Sequence, residues 1–184
     1  MNPVEHHHGR VEDDRVIIRL EGPDDAPSIR RVNELAFEGR AEAGIVDRLR
    51  AAGGPQLSLV AEDDGAIVGH ILFSPAAIRS TGLEVVGMGL APMAVLPDRQ
   101  RQGIGSLLVE KGLQLLRERS CPFVIVLGHP AYYPRFGFVP ASRHDLRCQW
   151  AGIPDEAFLV LVLDPNIMQD VSGIVRYADE FDVA

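Results

Sequence analysis

Residues 90–127 decide the fold; they read LAPMAVLPDRQRQGIGSLLVEKGLQLLRERSCPFVIVL. Apolar residues recur at helical spacing over Gly103–Arg119, which predicts an amphipathic helix. An almost uncharged run, Leu83–Leu96, precedes this helix, and a continuous apolar run, Phe123–Leu127, follows it. A strand, a helix and a second strand in this order predict a parallel pair joined by a right-handed crossover.

The run Leu83–Leu96 contains two glycines and Pro92, which makes a helix unfavourable. Proline has no N–H to donate to a strand ladder, so within sheets it marks an edge or a bulge. The sequence therefore predicts a buried strand with a bulge near Pro92.

The rest of the chain extends this unit into one sheet. Two apolar runs joined by Glu62–Gly65 predict a hairpin, and Asp24-Asp25-Ala26-Pro27 predicts a helix start with capping carboxylates. The predicted helices are Asp24–Phe37, Ile45–Ala52 and Gly103–Arg119. The predicted strands are Val16–Leu20, Leu57–Ala61, Ala66–Phe73, Leu83–Leu96, Phe123–Leu127, Phe158–Leu163 and Gly173–Tyr177. We expect an α/β (α+β) fold with a single mixed, twisted sheet of about seven strands and helices on both faces.

The domain organisation is simple. A chain of 184 residues is expected to form one domain, which we place at residues 15–184. Residues 1–14 are polar and are predicted to be a flexible arm. The run His6–His8 in that arm is a poor metal site because metals need preorganised ligands, and no metal is predicted.

The segment Gln100–Ser106 (QRQGIGS) follows a strand and opens a helix. The first turn of a helix has unpaired N–H groups and partial positive charge, so an anion fits there if side chains leave room. Gly103 and Gly105 leave that room. A dinucleotide fingerprint would need a third glycine where Leu108 stands, and a nucleoside-triphosphate loop would need Gly-Lys-Ser/Thr. The loop predicts a phosphate site, although two glycines also suit tight helix–strand packing.

The charge of the chain indicates which classes of ligand it can bind. The formal net charge is −8, which argues against non-specific binding to nucleic acid or anionic lipid and favours a cationic or neutral substrate. Residues 99–119 carry five basic and two acidic side chains, a local reversal of sign that suits a polyphosphate. The sequence shows no run long enough to span a membrane and no secretory signal, so a cytoplasmic location is expected.

The pattern Gln100-x-x-Gly103-x-Gly105 resembles the Q/R-x-x-G-x-G/A motif of the GNAT superfamily of N-acetyltransferases. The segment Leu127–Phe138 (LGHPAYYPRFGF) resembles the second motif of these proteins, and it is most like that of the YhbS-like bacterial predicted acetyltransferases. The resemblance implies acetyl-CoA as donor, direct transfer in a ternary complex and no metal. It implies that the pantetheine arm pairs with the central strand and that the pyrophosphate lies on the loop. The implied cofactor-binding residues are Met93, Ala94, Val95, Gln100, Arg101, Gln102, Gly103, Ile104, Gly105 and Ser106.

The resemblance also implies that Tyr133, four residues before the glycine of Gly-Phe, protonates the departing thiolate. A phenol keeps its proton at neutral pH, so this role is chemically reasonable; Tyr132 is the weaker alternative. The base is less defined, because the central strand has no carboxylate between residues 85 and 96. His129 is the leading side chain, Glu84 and His70 are weaker candidates, and a water chain is the main alternative.

The leading hypothesis is therefore an acetyl-CoA-dependent N-acetyltransferase that acts on a primary amine of a small molecule. A protein amine is the less favoured acceptor. The alternatives are a non-catalytic acyl-CoA sensor and a nucleotide-binding oxidoreductase, and the missing third glycine argues against the latter. No nucleic acid or membrane partner is expected, and the sequence leaves a homodimer open.

Overall fold

The computed structural model describes residues 16–54, 56–80 and 83–182. The predicted arm and its histidines lie outside these residues. The helices are α1 (Ala26–Ala36), α2 (Ala41–Ala52) and α3 (Ile104–Glu118). The strands are β1 (Ile17–Leu20), β2 (Leu57–Asp63), β3 (Ala66–Ser80), β4 (Leu83–Val95), β5 (Phe123–Leu127), β6 (Val139–Pro140), β7 (Leu146–Cys148), β8 (Phe158–Val162) and β9 (Gly173–Tyr177).

All of these strands belong to one mixed sheet. The main path runs β1-β2-β3-β4-β5-β8-β6. Strand β9 pairs with the second half of β3, and β7 pairs with β9. Strands β4 and β5 are parallel and connected through α3, as the sequence predicted. The predicted fold class is confirmed, although the described residues form nine strands rather than seven. The two additional strands, β6 and β7, have only two and three residues, too few for an alternating pattern to be recognised.

Helices cover both faces of the sheet. Helix α3 packs on one face in a cluster that includes Leu108 and Phe73. Gly112 brings the helix close, because a Cβ there would lie 2.4 Å from the Phe73 ring. Helices α1 and α2 pack on the other face, where Ile29 and Leu72 belong to a second cluster.

Strand β4 changes its neighbours along its length. Opposite β3, the register moves from Phe73–Leu90 to Ile71–Met93, so two residues of β4 oppose one residue of β3. This confirms the predicted bulge at Pro92. On the other side, pairing with β5 ends at Leu90–Val126, while β4 continues to Val95. The sheet therefore opens between β4 and β5, and the last residues of β4 present a free strand edge.

The predicted capping role of Asp25 is wrong. Asp25 is the residue before α1, but its side chain makes no capping hydrogen bond to that helix. Its carboxylate instead accepts hydrogen bonds from Arg19 (2.5 Å) and from the Gly22 backbone N–H (2.7 Å). The Arg19 hydrogen bond is the main reason that the pKa of Asp25 is lowered. The carboxylate thus fastens the start of α1 to β1.

Candidate active site

A cavity of about 560 Å³ lies where β4 becomes a free edge and α3 begins. Three regions enclose it: the end of α1, the segment from β4 through the glycine loop into α3, and the short helical turn after β5. The lining residues are Ala36, Phe37, Met93, Ala94, Val95, Arg99, Gln100, Arg101, Gly103, Ile104, Gly105, Ser106, Tyr132 and Arg135. Nine of the ten residues proposed to bind the cofactor are therefore brought together. The tenth, Gln102, lies outside this cavity and lines a neighbouring groove.

The loop leaves the N-terminus of α3 uncovered by its own side chains. Gly103 has φ of 87° and Arg101 has φ of 61°, both in the left-handed region. This path carries the chain sharply from β4 into the helix. No side chain caps the first turn of α3, so its first N–H groups face the cavity without a partner from the loop. The helix dipole adds partial positive charge at the same place.

The glutamine side chains of the loop support its backbone. Gln100 Nε2 donates to the Val95 carbonyl oxygen (3.0 Å), and Gln102 Nε2 donates to the Asp98 carbonyl oxygen (3.0 Å). Arg99 forms an ion pair with Asp63 and keeps a buried Nε without a partner among the described residues. The glutamines thus hold the loop shape, and an anion in the cavity would contact backbone groups rather than these amides.

Tyr132 lies over the first turn of α3. Its hydroxyl is 3.5 Å from Ser106 Oγ, and a Cβ on Gly105 would lie 2.9 Å from the same oxygen. The Arg135 guanidinium is stacked on the Tyr132 ring at 4.6 Å, and its Nε donates to the Tyr132 carbonyl oxygen. Gly105 is therefore needed for this close approach. Arg135 adds positive charge to the cavity from outside the loop.

Tyr133 is buried beside the cavity rather than in its wall. It is 7% exposed, and its ring packs edge-on against Phe138 and Tyr132. A Cβ on Gly128 would lie 2.1 Å from this ring, so the tyrosine rests directly on the backbone that follows β5. Burial raises the pKa of Tyr133 above its usual range. The side chain is therefore a neutral phenol at neutral pH.

His129 lies at the end of the sheet that carries the opening, but it does not line the cavity. The side chain is exposed, and its Nδ1 accepts a hydrogen bond from the Ala131 backbone N–H (3.2 Å). This bond leaves Nε2 as the protonated nitrogen of the neutral ring.

The two weaker candidates for the base are excluded by their positions. Glu84 lies at the far end of β4, is exposed, and pairs with Arg79 at 2.6 Å. His70 is fully buried, and both of its ring nitrogens have partners, Asn33 Nδ2 (3.1 Å) and Ser58 Oγ (3.0 Å). Burial lowers the pKa of His70 to about 3. Neither group can take a proton from an acceptor in the cavity.

Sequence reasoning missed several lining residues. Ala36 and Phe37 reach the cavity because α1 crosses the sheet toward the end of β4, and no local pattern encodes that crossing. Arg135 lies two residues from the proposed acid, and its charge next to the doubled tyrosine was a signal that could have been used. Among the described residues, no group of three or more His, Cys, Asp or Glu side chains could hold a metal ion. None of the described helices is long and apolar enough to cross a membrane.

These features define an acetyltransferase of the GNAT family. Residues 55–140, which contain β4, the glycine loop and Tyr133, match the model of the acetyltransferase (GNAT) domain. The chain is also 42% identical to the uncharacterized N-acetyltransferase YhbS of Escherichia coli K12 over 168 residues, which cover 91% of this chain and 99% of that protein. The chain therefore belongs to the GNAT family and is an N-acetyltransferase.

Two solved structures resemble this fold at similar sequence identity. The crystal structure of Escherichia coli YhbS in complex with CoA has a TM-score of 0.88 at 40% identity, covering 95% of this chain and 96% of that one. The structure of a GNAT acetyltransferase from Brucella melitensis in complex with acetyl-CoA has a TM-score of 0.76 at 40% identity, covering 92% and 99%. The implied family, fold and activity are thus confirmed.

Proposed function

We propose that this chain transfers the acetyl group of acetyl-CoA directly to a primary amine of a small molecule, in a ternary complex. The observation that carries the proposal is the juxtaposition, in one cavity, of the free edge of β4 and the uncapped N-terminus of α3. Acetyl-CoA combines an extended amide-bearing arm with a pyrophosphate. A strand edge pairs with such an arm, and a helix N-terminus binds such an anion. The two relatives described above are bound to CoA and acetyl-CoA, which supports the same assignment.

The donor fits the residues present. The arm would pair with Met93, Ala94 and Val95, and the pyrophosphate would lie on backbone N–H groups from Arg101 to Ser106. The thioester would then lie in the opening between β4 and β5, next to the backbone on which Tyr133 rests.

The chemistry assigned to the chain is general acid–base catalysis. The neutral amine attacks the thioester carbonyl carbon, the C–N bond forms, and the C–S bond breaks. Tyr133 donates its phenolic proton to the departing thiolate. The excess proton on the acceptor nitrogen passes, directly or through water, to Nδ1 of His129, which gives up its hydrogen bond from the Ala131 backbone N–H as it takes the proton. The phenol is suited to the first role because burial keeps it protonated.

The small-molecule acceptor is proposed on charge and on cavity shape. The chain carries a formal net charge of −8, which attracts cationic amines at long range. The apolar Ala36 and Phe37 close the cavity from the α1 side, so a compact amine suits it better than a folded protein surface.

Calorimetry with a glycine variant tests the binding site. Gly103→Glu places a negative side chain at the loop and should abolish measurable acetyl-CoA binding. Gly53→Glu is the matched control, because Gly53 also has a left-handed φ (67°), ends a helix and has open space around it. The control should bind acetyl-CoA like the wild type. Unchanged binding in Gly103→Glu would place the site elsewhere.

Thiol release tests the chemistry. With acetyl-CoA and a panel of primary amines, the wild type should release CoA, and Tyr133→Phe should slow release by ~10²–10⁴-fold while acetyl-CoA affinity stays the same. If Tyr133→Phe releases CoA at nearly the wild-type rate and Tyr132→Phe releases it much more slowly, the general acid is Tyr132. His129→Gln should lower kcat/KM for the amine at saturating acetyl-CoA while the acetyl-CoA affinity stays the same, and an unchanged kcat/KM would leave the proton to water.

A further inference from the structure

The described residues contain four buried side-chain polar atoms that make no hydrogen bond: Asn33 Oδ1, Ser74 Oγ, Arg99 Nε and Tyr177 Oη. Arg99 belongs to the cavity already described. Tyr177 is notable because a buried phenol without a partner lowers the stability of the fold. Such a group is expected where a ligand supplies the missing partner.

The Tyr177 ring is held rigidly on the face of the sheet opposite α3. Residue 177 is paired with Ala76 of β3, and the ring lies directly on β4, since a Cβ on Gly89 would be 2.5 Å from its Cε1. Trp150 stacks on the ring at 5.4 Å, and Phe181 packs against it at 5.2 Å. The small residues Ala76 and Gly89 make room for the ring, and the aromatic neighbours fix its direction.

This direction brings the hydroxyl close to the last pair of β4 and β5. The ring carbon that bears the hydroxyl would lie 3.5 Å from a Cβ on Gly89, the residue before Leu90. Pairing between β4 and β5 ends at Leu90–Val126. The hydroxyl therefore lies where the two strands begin to separate.

Tyr133 approaches the same place from the other side of the sheet. It belongs to the cluster formed with α3, and it rests on Gly128, the residue after Leu127. Tyr177 belongs to the cluster on the opposite face. Burial is the main reason that the pKa of each phenol is raised, so both keep their protons at neutral pH. Two neutral phenols thus flank the opening, one on each face.

We propose that Tyr177 is a substrate-binding residue whose hydroxyl hydrogen-bonds the amino group of the acceptor at the opening between β4 and β5, on the face of the sheet opposite α3. The inference rests on the proposed function, because it places the acceptor across the opening from Tyr133. A neutral phenol cannot remove the amine's proton, but its oxygen accepts an N–H hydrogen bond and so orients the nitrogen lone pair.

The test is Tyr177→Phe, which removes one oxygen and keeps the ring with its packing. At saturating acetyl-CoA, kcat/KM for the acceptor should fall roughly 3- to 10-fold, the value of one neutral hydrogen bond. The acetyl-CoA Kd should stay within about twofold. The melting temperature should stay equal or rise, because the lost hydroxyl had no partner. A hydroxyl with a purely structural role would lower the melting temperature instead. The probes are ethylamine, putrescine, tyramine and glucosamine, with thiol release as the readout.

Ser74→Ala is the matched control. It also removes a buried hydroxyl without a partner on the same face, because Ser74 pairs with Gly89. Ser74 belongs to β3, however, and β4 separates it from the opening. We expect this variant to be at least as stable as the wild type and to transfer acetyl groups at the wild-type rate.

Each outcome decides between the proposals. Unchanged transfer by Tyr177→Phe, or an equal loss in Ser74→Ala, overturns the role of Tyr177 and leaves the proposed function standing. A wild type that fails to bind acetyl-CoA, or that binds it but releases no thiol with any of the amines, overturns the proposed function and this inference with it.

Discussion

His70 is a histidine that the fold holds uncharged, and this makes stability depend on pH. It lies in β3 and is fully buried under α1. Its two ring nitrogens form hydrogen bonds with Asn33 and Ser58. Burial is the main cause, and the charge of Arg50 a second cause, of a pKa lowered from 6.5 to about 3. In the unfolded chain the ring regains its ordinary pKa. Below pH 6.5, His70 is therefore protonated in the unfolded state but stays neutral in the folded state, which favours unfolding.

The magnitude follows from the two pKa values. Because the pKa is depressed in the folded state, this contribution is fully present above pH 6.5 and is lost as the pH falls. Between pH 7.5 and pH 5.0 the free energy of unfolding should drop by about 2 kcal/mol on account of His70 alone. The value changes little with the folded-state pKa as long as that pKa lies below about 4.

Urea unfolding at the two pH values measures this effect. His70→Gln keeps a polar side chain between Asn33 and Ser58, and the glutamine does not titrate. The other ionisable groups contribute equally to the pH dependence of the free energy of unfolding in the variant and in the wild type, so their contributions cancel in the comparison. The wild type should lose about 2 kcal/mol more than the variant. An NMR titration of the wild-type imidazole is the second measurement, and it serves even if the variant fails to fold.

Two results would refute this reasoning. One is an equal loss of stability in the wild type and in His70→Gln. The other is a His70 ring that titrates near pH 6 in the folded protein, which would show that the site admits a charge.

Three further predictions concern packing, an ion pair and the acceptor. Gly112→Ala should lower the free energy of unfolding by ~1–3 kcal/mol in urea titrations, because its Cβ would meet the Phe73 ring at 2.4 Å; unchanged stability would mean that α3 can move away from the sheet freely. Asp25→Ala should cost about 1–3 kcal/mol by the same assay, since it removes hydrogen bonds from Arg19 and from the Gly22 backbone, and a neutral outcome would show that this contact is screened by water. At saturating acetyl-CoA, the KM for a cationic amine should rise with salt, because the net charge of −8 attracts it; a flat response would contradict the electrostatic argument.

The central unit was predictable because its signals are local. The helical spacing of α3, the proline in β4 and the glycines at 103 and 105 each act on neighbouring backbone. Together they identified the crossover, the bulge and the loop at the start of the helix. The motif resemblance added Tyr133, which lies beside the cavity and rests on the end of β5.

The remaining features depend on contacts between distant segments. Asp25 has the residue type of a helix cap, but Arg19 on the neighbouring strand binds its carboxylate. His70 was a candidate base in the sequence and is a buried hydrogen-bonding group in the fold. No sequence pattern indicated that Tyr177 belongs to the site, because its position depends on where β9 joins the sheet.

The place of β9 in the sheet also has a consequence for the order of folding. Strand β9 is the last strand of the described residues, yet it pairs in the interior of the sheet, with Tyr177 opposite Ala76, about a hundred residues earlier. Contacts between such distant residues require a large loop to close, and they form slowly compared with helices and hairpins. The β3–β4 hairpin and α3 can therefore assemble the donor half of the active site before β9 arrives. The wall that carries Tyr177 is added when this strand docks, so competence to bind the donor should precede competence to transfer the acetyl group during refolding.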